Sequence, residues 1–330
     1  MKAAIYTQYG PPEVVRVAEV EKPVPKENEV LLKVRAAAVN PLDWRIMKGA
    51  PYIFRAIFRL SKPTSAQPGR PGRDVAGQVE AVGKNVTRFK AGEEVFGAAL
   101  GAFAEYACAS ESALAVKPEN VTFEQAASVP VAGLSALQGL RDKGHLQAGQ
   151  KVLVNGAAGG VGTFAVQIAK AWGAEVTGVC STKNVELVRS LGANRVIDYT
   201  QQDFTKDGER YDVILDCVGN RSLADCKRAL NPGGVCVMVG APKDLGMFLI
   251  RAVTAPLLAW FGSRKFTTFM AKARTEDLRV LGELMASGKV RPVIERSYEL
   301  SEAAEAIRHS EQGHARGKVM IVVDAPGETA

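Results

Sequence analysis

The segment that most restricts how this chain can fold is Val152-Leu-Val-Asn-Gly156-Ala-Ala-Gly159-Gly160-Val-Gly162, followed at once by the apolar stretch Thr163–Trp172. It reads as a buried strand that turns through small residues into a helix. A pyrophosphate needs backbone N–H donors at a helix N-terminus, and only small side chains let the backbone come close enough to offer them. Ala157, Gly159 and Gly162 keep the G-x-G-x-x-G spacing, with Ala at the first glycine position. A tight structural turn is the competing reading of such a loop; the strand before it and the helix after it favour dinucleotide binding. Gly156, Ala157, Ala158, Gly159, Gly160, Val161 and Gly162 are therefore the candidate phosphate-binding residues.

The surrounding pattern extends this unit. Lys151–Asn155, Glu175–Cys180, Arg195–Asp198, Val213–Asp216 and Val235–Val239 read as strands, alternating with helices over Thr163–Trp172, Asn184–Leu191 and Arg221–Leu230. Such alternation calls for a parallel, doubly wound sheet with helices on both faces. Gly173 and Gly192 stand where a helix C-cap wants left-handed backbone. Lys265–Met270 offers a sixth strand, Thr275–Gly288 a helix and Lys318–Val323 a last strand returning to the first domain. The first third is different: Ala3–Tyr6, Val30–Val39, Val75–Val82, Glu94–Phe96 and Ala104–Cys108 are short apolar or alternating runs, which suggest an antiparallel, barrel-like domain. The division expected is 1–121, 122–271 and 272–330, the last segment completing the first domain. At 330 residues the chain is long enough for two cores.

Enzymes that bind NAD usually carry an acid about 20 residues beyond the glycine loop, at the end of the second strand, to bond the ribose hydroxyls. Here that place reads Cys180-Ser181-Thr182-Lys183. A hydroxyl and a cation suit a 2′-phosphate, so Ser181 and Lys183 point to NADPH; an exposed lysine opening the next helix is the other reading of Lys183.

Net charge is +7, from 42 Lys and Arg against 35 Asp and Glu, which favours anionic partners. The basic residues are scattered and no basic arm stands out, so a solvated mixed-charge surface is preferred over nucleic-acid binding. Cys108, Cys180, Cys217, Cys226 and Cys236 form no C-x-x-C pair, which fits a reducing compartment. The N-terminal residues read as a strand rather than a signal or transit segment, so the cytoplasm is expected. Met247–Gly262 is the most apolar stretch, but Arg251 and Pro256 interrupt it and it falls short of the roughly 20 residues of a membrane-spanning helix. It reads as a helix lining or covering a cleft.

Several further runs, Ala37-Ala-Val-Asn-Pro-Leu-Asp43-Trp, Pro71-Gly-Arg-Asp-Val-Ala-Gly-Gln-Val-Glu-Ala-Val-Gly83, Val131-Ala-Gly-Leu-Ser135-Ala-Leu, and Arg189-Ser-Leu-Gly-Ala193 through Val196-Ile-Asp-Tyr199, join the glycine loop in a resemblance that spans the chain. The sequence resembles the zinc-lacking, quinone oxidoreductase-like branch of the medium-chain dehydrogenase/reductase superfamily. That resemblance implies a discontinuous GroES-like barrel joined to a Rossmann domain, with the nicotinamide in the cleft between them. Zinc-dependent members hold catalytic zinc through a Cys and a His at the places occupied here by Asn40 and Arg73. Neither side chain suits zinc, and the three histidines lack ligand spacing, so no metal is expected.

Without a Lewis acid, hydride transfer to a conjugated acceptor is favoured over alcohol oxidation. The expected activity is NADPH-dependent reduction of quinones or α,β-unsaturated carbonyls. An NADP-linked alcohol dehydrogenase and a zeta-crystallin-like protein that binds NADPH or RNA without catalysis are the alternatives. By resemblance, Asn40, Asp43 and Ser135 are the catalytic candidates and Tyr199 contacts the adenosine end of NADPH. Each has a second reading: Asn40 as the bend before Pro41, Asp43 as a helix cap, Ser135 as filler inside a helix, and Tyr199 as a strand-end aromatic. Ala50–Pro68 and the apolar helix Leu245–Gly262 are expected to border the substrate pocket. Relatives imply a homodimer, for which Lys265–Met270 is the edge strand nominated.

Overall fold

In the computed structural model the described residues are 1–49, 55, 61–239, 264–313 and 315–323. The apolar stretch Met247–Gly262 and most of Ala50–Leu60 lie outside them, and so do the expectations placed there. The chain divides into two compact units, Met1–Ala132 with Ala273–Gly288 and Pro292–Ala330, and Gly133–Lys272 with Lys289–Arg291.

The first unit is built on strands β1 (Lys2–Ile5), β2 (Arg16–Glu19), β3 (Glu29–Val39), β4 (Asp74–Val82), β5 (Glu94–Ala98), β6 (Tyr106–Ser110) and β7 (Leu114–Val116). Helix α1 (Pro41–Lys48) leaves the end of β3 directly, and α2 (Phe123–Ala127) follows β7. β3 is the organising strand: it runs 11 residues and pairs with β4 and β6. Register shifts between Leu31 and Leu32 and between Val34 and Ala36 interrupt its ladder with β4, the kind of bulge that bends a sheet. Leu32, Val34, Val75, Val95 and Leu114 are sealed in the resulting core. Burying a side chain of this size is worth about 1.5–3 kcal/mol.

The second unit holds the parallel sheet. α3 (Pro130–Gln138) enters it and a π-helical turn, Gly139–Lys143, continues α3; then come β8 (Lys151–Asn155), α4 (Gly160–Ala171), β9 (Glu175–Cys180), α5 (Val185–Ser190), β10 (Arg195–Asp198), β11 (Tyr211–Asp216), α6 (Leu223–Arg228), β12 (Leu230–Met238) and β13 (Lys265–Thr268). All the pairings are parallel, in the order β10-β9-β8-β11-β12-β13. Sequence order therefore runs outward in both directions from the β8/β11 pair. No helix of the described residues is long and apolar enough to cross a membrane.

After β13 the chain contributes α7 (Thr275–Ala286), β14 (Ile294–Glu299), α8 (Ala303–Gln312) and β15 (Lys318–Val322) to the first unit. β15 pairs antiparallel with β3, placing the last strand beside the longest one.

The doubly wound sheet and the returning last strand match the sequence expectations, and Gly173 and Gly192 take φ of 78° and 103°. The first unit needs correcting in two respects. Its sheet is not wholly antiparallel, because β14 pairs parallel with β15. β14 escaped detection because its side chains are mostly exposed and give no apolar alternation. The strand expected over Ala104–Cys108 is shifted to Tyr106–Ser110: Ala104 instead bridges Ala3, and the ladder with β3 runs from Lys33/Tyr106 to Glu29/Ser110. α4 also starts earlier than Thr163, since Gly160 to Gly162 already take helical backbone.

Candidate cofactor and active site

Reversal of strand order between β8 and β11 defines the switch point of an open parallel sheet, where ligands bind beyond the carboxyl ends of the strands. The glycine loop leaves β8 at this point. Gly156 N–H and Ala157 N–H donate to Val179 O at 3.1 and 2.9 Å, and Gly159 N–H donates to Gly156 O at 3.0 Å. Gly156 has φ +86°, and a Cβ on Gly162 would lie 2.1 Å from Gly156 O. At Gly162 the helix thus packs on the loop too closely for any side chain. Gly159 is different: among the described residues a Cβ there would meet only Gly156 O, at 3.4 Å, so these residues leave the loop open above it.

α4 starts from Gly159 with no side-chain cap and no acidic residue in its first turn. The first N–H groups of any helix lack intrahelical acceptors and carry partial positive charge. The cradle therefore fits a pyrophosphate. Across the switch point, Asn155 Nδ2 donates to Asp216 Oδ1 at 2.9 Å, and the same oxygen accepts Val218 N–H at 3.2 Å and Gly219 N–H at 2.9 Å. Asp216 is 1% exposed and fixes the turn after β11 that faces the glycine loop. Neither Asn155 nor Asp216 was singled out in the sequence, since a polar residue at a strand end has many uses.

At the far end of β9, Ser181 precedes a short 3₁₀ turn, Thr182–Asn184. Ser181 Oγ accepts from Asn184 Nδ2 at 3.2 Å, and Lys183 is exposed. Tyr199 is half exposed, directly after β10, with its N–H donating to Cys180 O at 3.0 Å. Ser181, Lys183 and Tyr199 are thus gathered at the ends of two paired strands, β9 and β10. Asp198, the last residue of β10, stands among them and accepts a hydrogen bond from Thr182 Oγ1 at 2.6 Å.

In the first unit, Asn40 and Asp43 are brought together by the start of α1. Asn40 N–H donates to Asp43 Oδ2 at 2.7 Å and Asp43 N–H to Asn40 O at 3.0 Å. The Asp43 carboxylate also accepts Gly72 N–H at 3.3 Å. Burial pushes the Asp43 carboxyl up to about 7; the Asn40 N–H opposes this and the nearby charge of Asp74 adds to it.

The Asn40 amide is spent on buried partners. Its Nδ2 donates to Asp74 Oδ2 at 2.9 Å and to Ala38 O at 3.2 Å, and its Oδ1 accepts from Lys318 Nζ at 2.7 Å. Lys318 also pairs with Asp74 Oδ2 at 3.0 Å, and Asp74 Oδ1 accepts Val131 N–H at the start of α3 at 2.8 Å. Asn40, Asp74 and Lys318 are all at most 3% exposed. Both amide hydrogens of Asn40 are therefore engaged. Ser135, the third candidate, is half-buried on α3 in the other unit. Lys318 and Asp74 carried no signal of their own: a lysine opening a strand and an acid after Arg73 both read as surface charge.

This arrangement does not fit zinc. The one Asn40 atom able to ligate takes an ammonium, the place expected of a His is Arg73, and no group of three or more His, Cys, Asp or Glu able to hold a metal occurs among the described residues.

Two family models match the chain: an alcohol dehydrogenase GroES-like domain over residues 26–119 and a zinc-binding dehydrogenase over residues 191–321. A chloroplast envelope quinone oxidoreductase homolog of Arabidopsis thaliana is 33% identical over 97% of this chain and 98% of its own length. An NADPH-dependent alkenal/one oxidoreductase of the same plant is 35% identical, over 97% of this chain and 79% of its own length. The solved quinone oxidoreductase of Coxiella burnetii superposes with a TM-score of 0.85 at 31% identity, covering 98% of this chain and 99% of its own. The strand-loop-helix cradle, the sheet order and these likenesses over nearly the whole length agree: the chain belongs to the quinone oxidoreductase-like branch of the medium-chain dehydrogenase/reductase superfamily.

Proposed function

We propose that the protein is an NADPH-dependent oxidoreductase that reduces quinones or α,β-unsaturated carbonyls without a metal. The observation that carries this reading is the Gly156–Gly162 cradle at the switch point, narrow at Gly162 and open at Gly159. The names of the relatives, which include quinone and alkenal/one oxidoreductases, support the acceptor class over simple alcohols. Gly156, Ala157, Ala158, Gly159, Gly160, Val161 and Gly162 hold the pyrophosphate, while Ser181, Lys183 and Tyr199 attend the adenosine end and its 2′-phosphate. When bound, NADPH supplies the hydride for the acceptor.

The side chains of the site then orient the acceptor and manage the proton. Asn40 cannot donate to a substrate oxygen while Asp74 and Ala38 take both its amide hydrogens, so its role is to hold the bend before α1. Asp43 serves the same bend by accepting the Asn40 and Gly72 N–H groups. On the resemblance, Ser135 is the side chain we assign to the acceptor oxygen. We assign the first unit, with its returning C-terminal strands, as the GroES-like domain, and Ser135 belongs to the other unit. A homodimer through the outer edge of β13 and a cytoplasmic location complete the proposal; β13 is the last strand of its sheet among the described residues, and five cysteines with no disulfide between them suit a reducing compartment.

The test is NADPH consumption by the purified protein across benzoquinones, naphthoquinones, alkenals and enones beside primary and secondary alcohols with NADP⁺. Turnover confined to the alcohols would overturn the reading.

A further inference from the structure

The sequence after β9 lacks the acid that an NAD site places there, yet the fold brings a carboxylate to that spot from the neighbouring strand. β9 ends at Cys180 and β10 at Asp198, and these two residues are partners in the parallel ladder. Asp198 Oδ2 accepts from Thr182 Oγ1 at 2.6 Å and from Gln201 Nε2 at 3.2 Å. Its Oδ1 accepts the Thr200 N–H at 3.0 Å and the Thr200 hydroxyl at 2.8 Å. The Thr182 and Thr200 hydroxyls lie 3.1 Å apart, closing the cluster. The Thr182 hydrogen bond, more than any other contact, holds the Asp198 carboxyl below the usual carboxylate range, so it is ionised wherever the cofactor binds.

We propose that Asp198 is a specificity-determining residue: its carboxylate, supplied by β10 in place of an acid on β9, opposes the 2′-phosphate of NADPH and admits NADH. The inference rests on the nicotinamide-cofactor reading above. Thr182 sits between Ser181 and Lys183, the two residues assigned to the phosphate, and Asp198 is within hydrogen-bond distance of it. A 2′-phosphate bound there meets a cation from the turn after β9 and an anion from the end of β10. An unphosphorylated ribose carries no charge for the carboxylate to oppose. Opposed charges of this kind reduce discrimination rather than reverse it, because Lys183 stays in place. The expected selectivity of the wild type is thus a modest preference for NADPH with measurable NADH binding.

The experiment is titration of NADPH and NADH into the full-length protein, wild type and Asp198→Asn, followed by nicotinamide fluorescence and calorimetry. The amide keeps an acceptor for Thr200 and can donate to Thr182 Oγ1, so the turn is retained while the charge is lost. Removing one exposed charge close to a phosphate is worth on the order of three- to tenfold in affinity. Asp198→Asn is expected to tighten NADPH binding by about that factor, to leave NADH unchanged or weaker, and so to raise the NADPH/NADH ratio. If Asp198→Asn does not fold, Asp198→Ser, which also removes the charge and keeps an acceptor, is measured instead. Parallel weakening of both cofactors would mean that Asp198 only supports the turn, and an unchanged ratio would equally overturn the proposal. If the wild type binds neither nucleotide, the cofactor reading itself fails and takes this inference with it; tight binding of both with no change of ratio on mutation removes this inference alone.

Discussion

Lys318 Nζ lies 2.7 Å from Asn40 Oδ1 although 278 residues separate them, and it reaches Asp74 Oδ2 at 3.0 Å from the same position. With exposures of 2% for Lys318, 3% for Asn40 and 0% for Asp74, this is a sealed ion pair with an amide locked against it. Removing one partner of a buried pair leaves an uncompensated charge, at a cost of about 3–5 kcal/mol. Lys318→Met is therefore expected to lower unfolding stability by that amount in a urea titration. Lys318→Met with Asp74→Asn, which removes both charges, is expected to cost less than the single change. An equal or larger loss in the double variant would show that the pair is not the source of the effect.

Asp43 makes stability depend on pH in an unusual direction. Its folded carboxyl is raised to about 7, from an ordinary 3.8, by burial above all. Between those values the folded state holds a proton that the unfolded state has released. Stability from this group is thus fully present below about 4 and is lost as pH rises towards about 7. Chemical unfolding of the wild type from pH 4.5 to 8 should show this decline, and Asp43→Asn, which cannot ionise, should flatten it. A slope that survives the substitution would assign the effect to another group.

The closeness of Gly162 to Gly156 makes a mutational test of the cradle possible without adding charge. A Cβ at Gly162 would sit 2.1 Å from Gly156 O and 2.7 Å from Ala157 Cα, both backbone atoms that cannot step aside without moving the loop. Gly162→Ala should shift the loop and weaken NADPH by about tenfold or more, which corresponds to roughly one lost charge-assisted hydrogen bond. Circular dichroism should show a folded chain. Unchanged NADPH affinity would mean that the loop is a turn and not a phosphate site.

Lys183→Ala is expected to weaken NADPH about tenfold while leaving NADH nearly untouched, because a single charge-assisted contact to phosphate is worth about 1.5–3 kcal/mol. Equilibrium titration with both nucleotides checks this. Equal losses for the two would place Lys183 away from the 2′-phosphate.

Purified protein is expected to carry no stoichiometric zinc, since the Asn40 oxygen accepts the Lys318 ammonium and Arg73 stands where a histidine would be needed. Elemental analysis by mass spectrometry is the measurement. One tightly bound zinc per chain, removed by chelation together with activity, would defeat the metal-free mechanism.

The sequence by itself marked the alternating strands and helices of the parallel sheet, its glycine loop and a last strand at Lys318–Val323, because these depend on local periodicity. Lys151–Asn155, Glu175–Cys180 and Arg195–Asp198 are strands over the same residues that their apolar patterns mark. Where the local signal was weak, tertiary pairing decided: the exposed strand Ile294–Glu299 exists because Lys318–Val322 offers it a parallel edge, and Ala104 leaves its strand to bridge Ala3. The chemistry of the candidate site divides in the same way. Gly156 to Gly162 announce themselves because small residues between a strand and a helix have few other uses. Asp74, Lys318 and Asp198 did not, because a charged side chain reads as solvated until the fold shows what surrounds it. Ladder register carries Asp198 to Thr182, and the pairing of Lys318–Val322 with Glu29–Val39 brings Lys318 to Asn40. Periodicity along the chain records which face of an element is buried, whereas the partner across the sheet is set by register between segments distant in sequence.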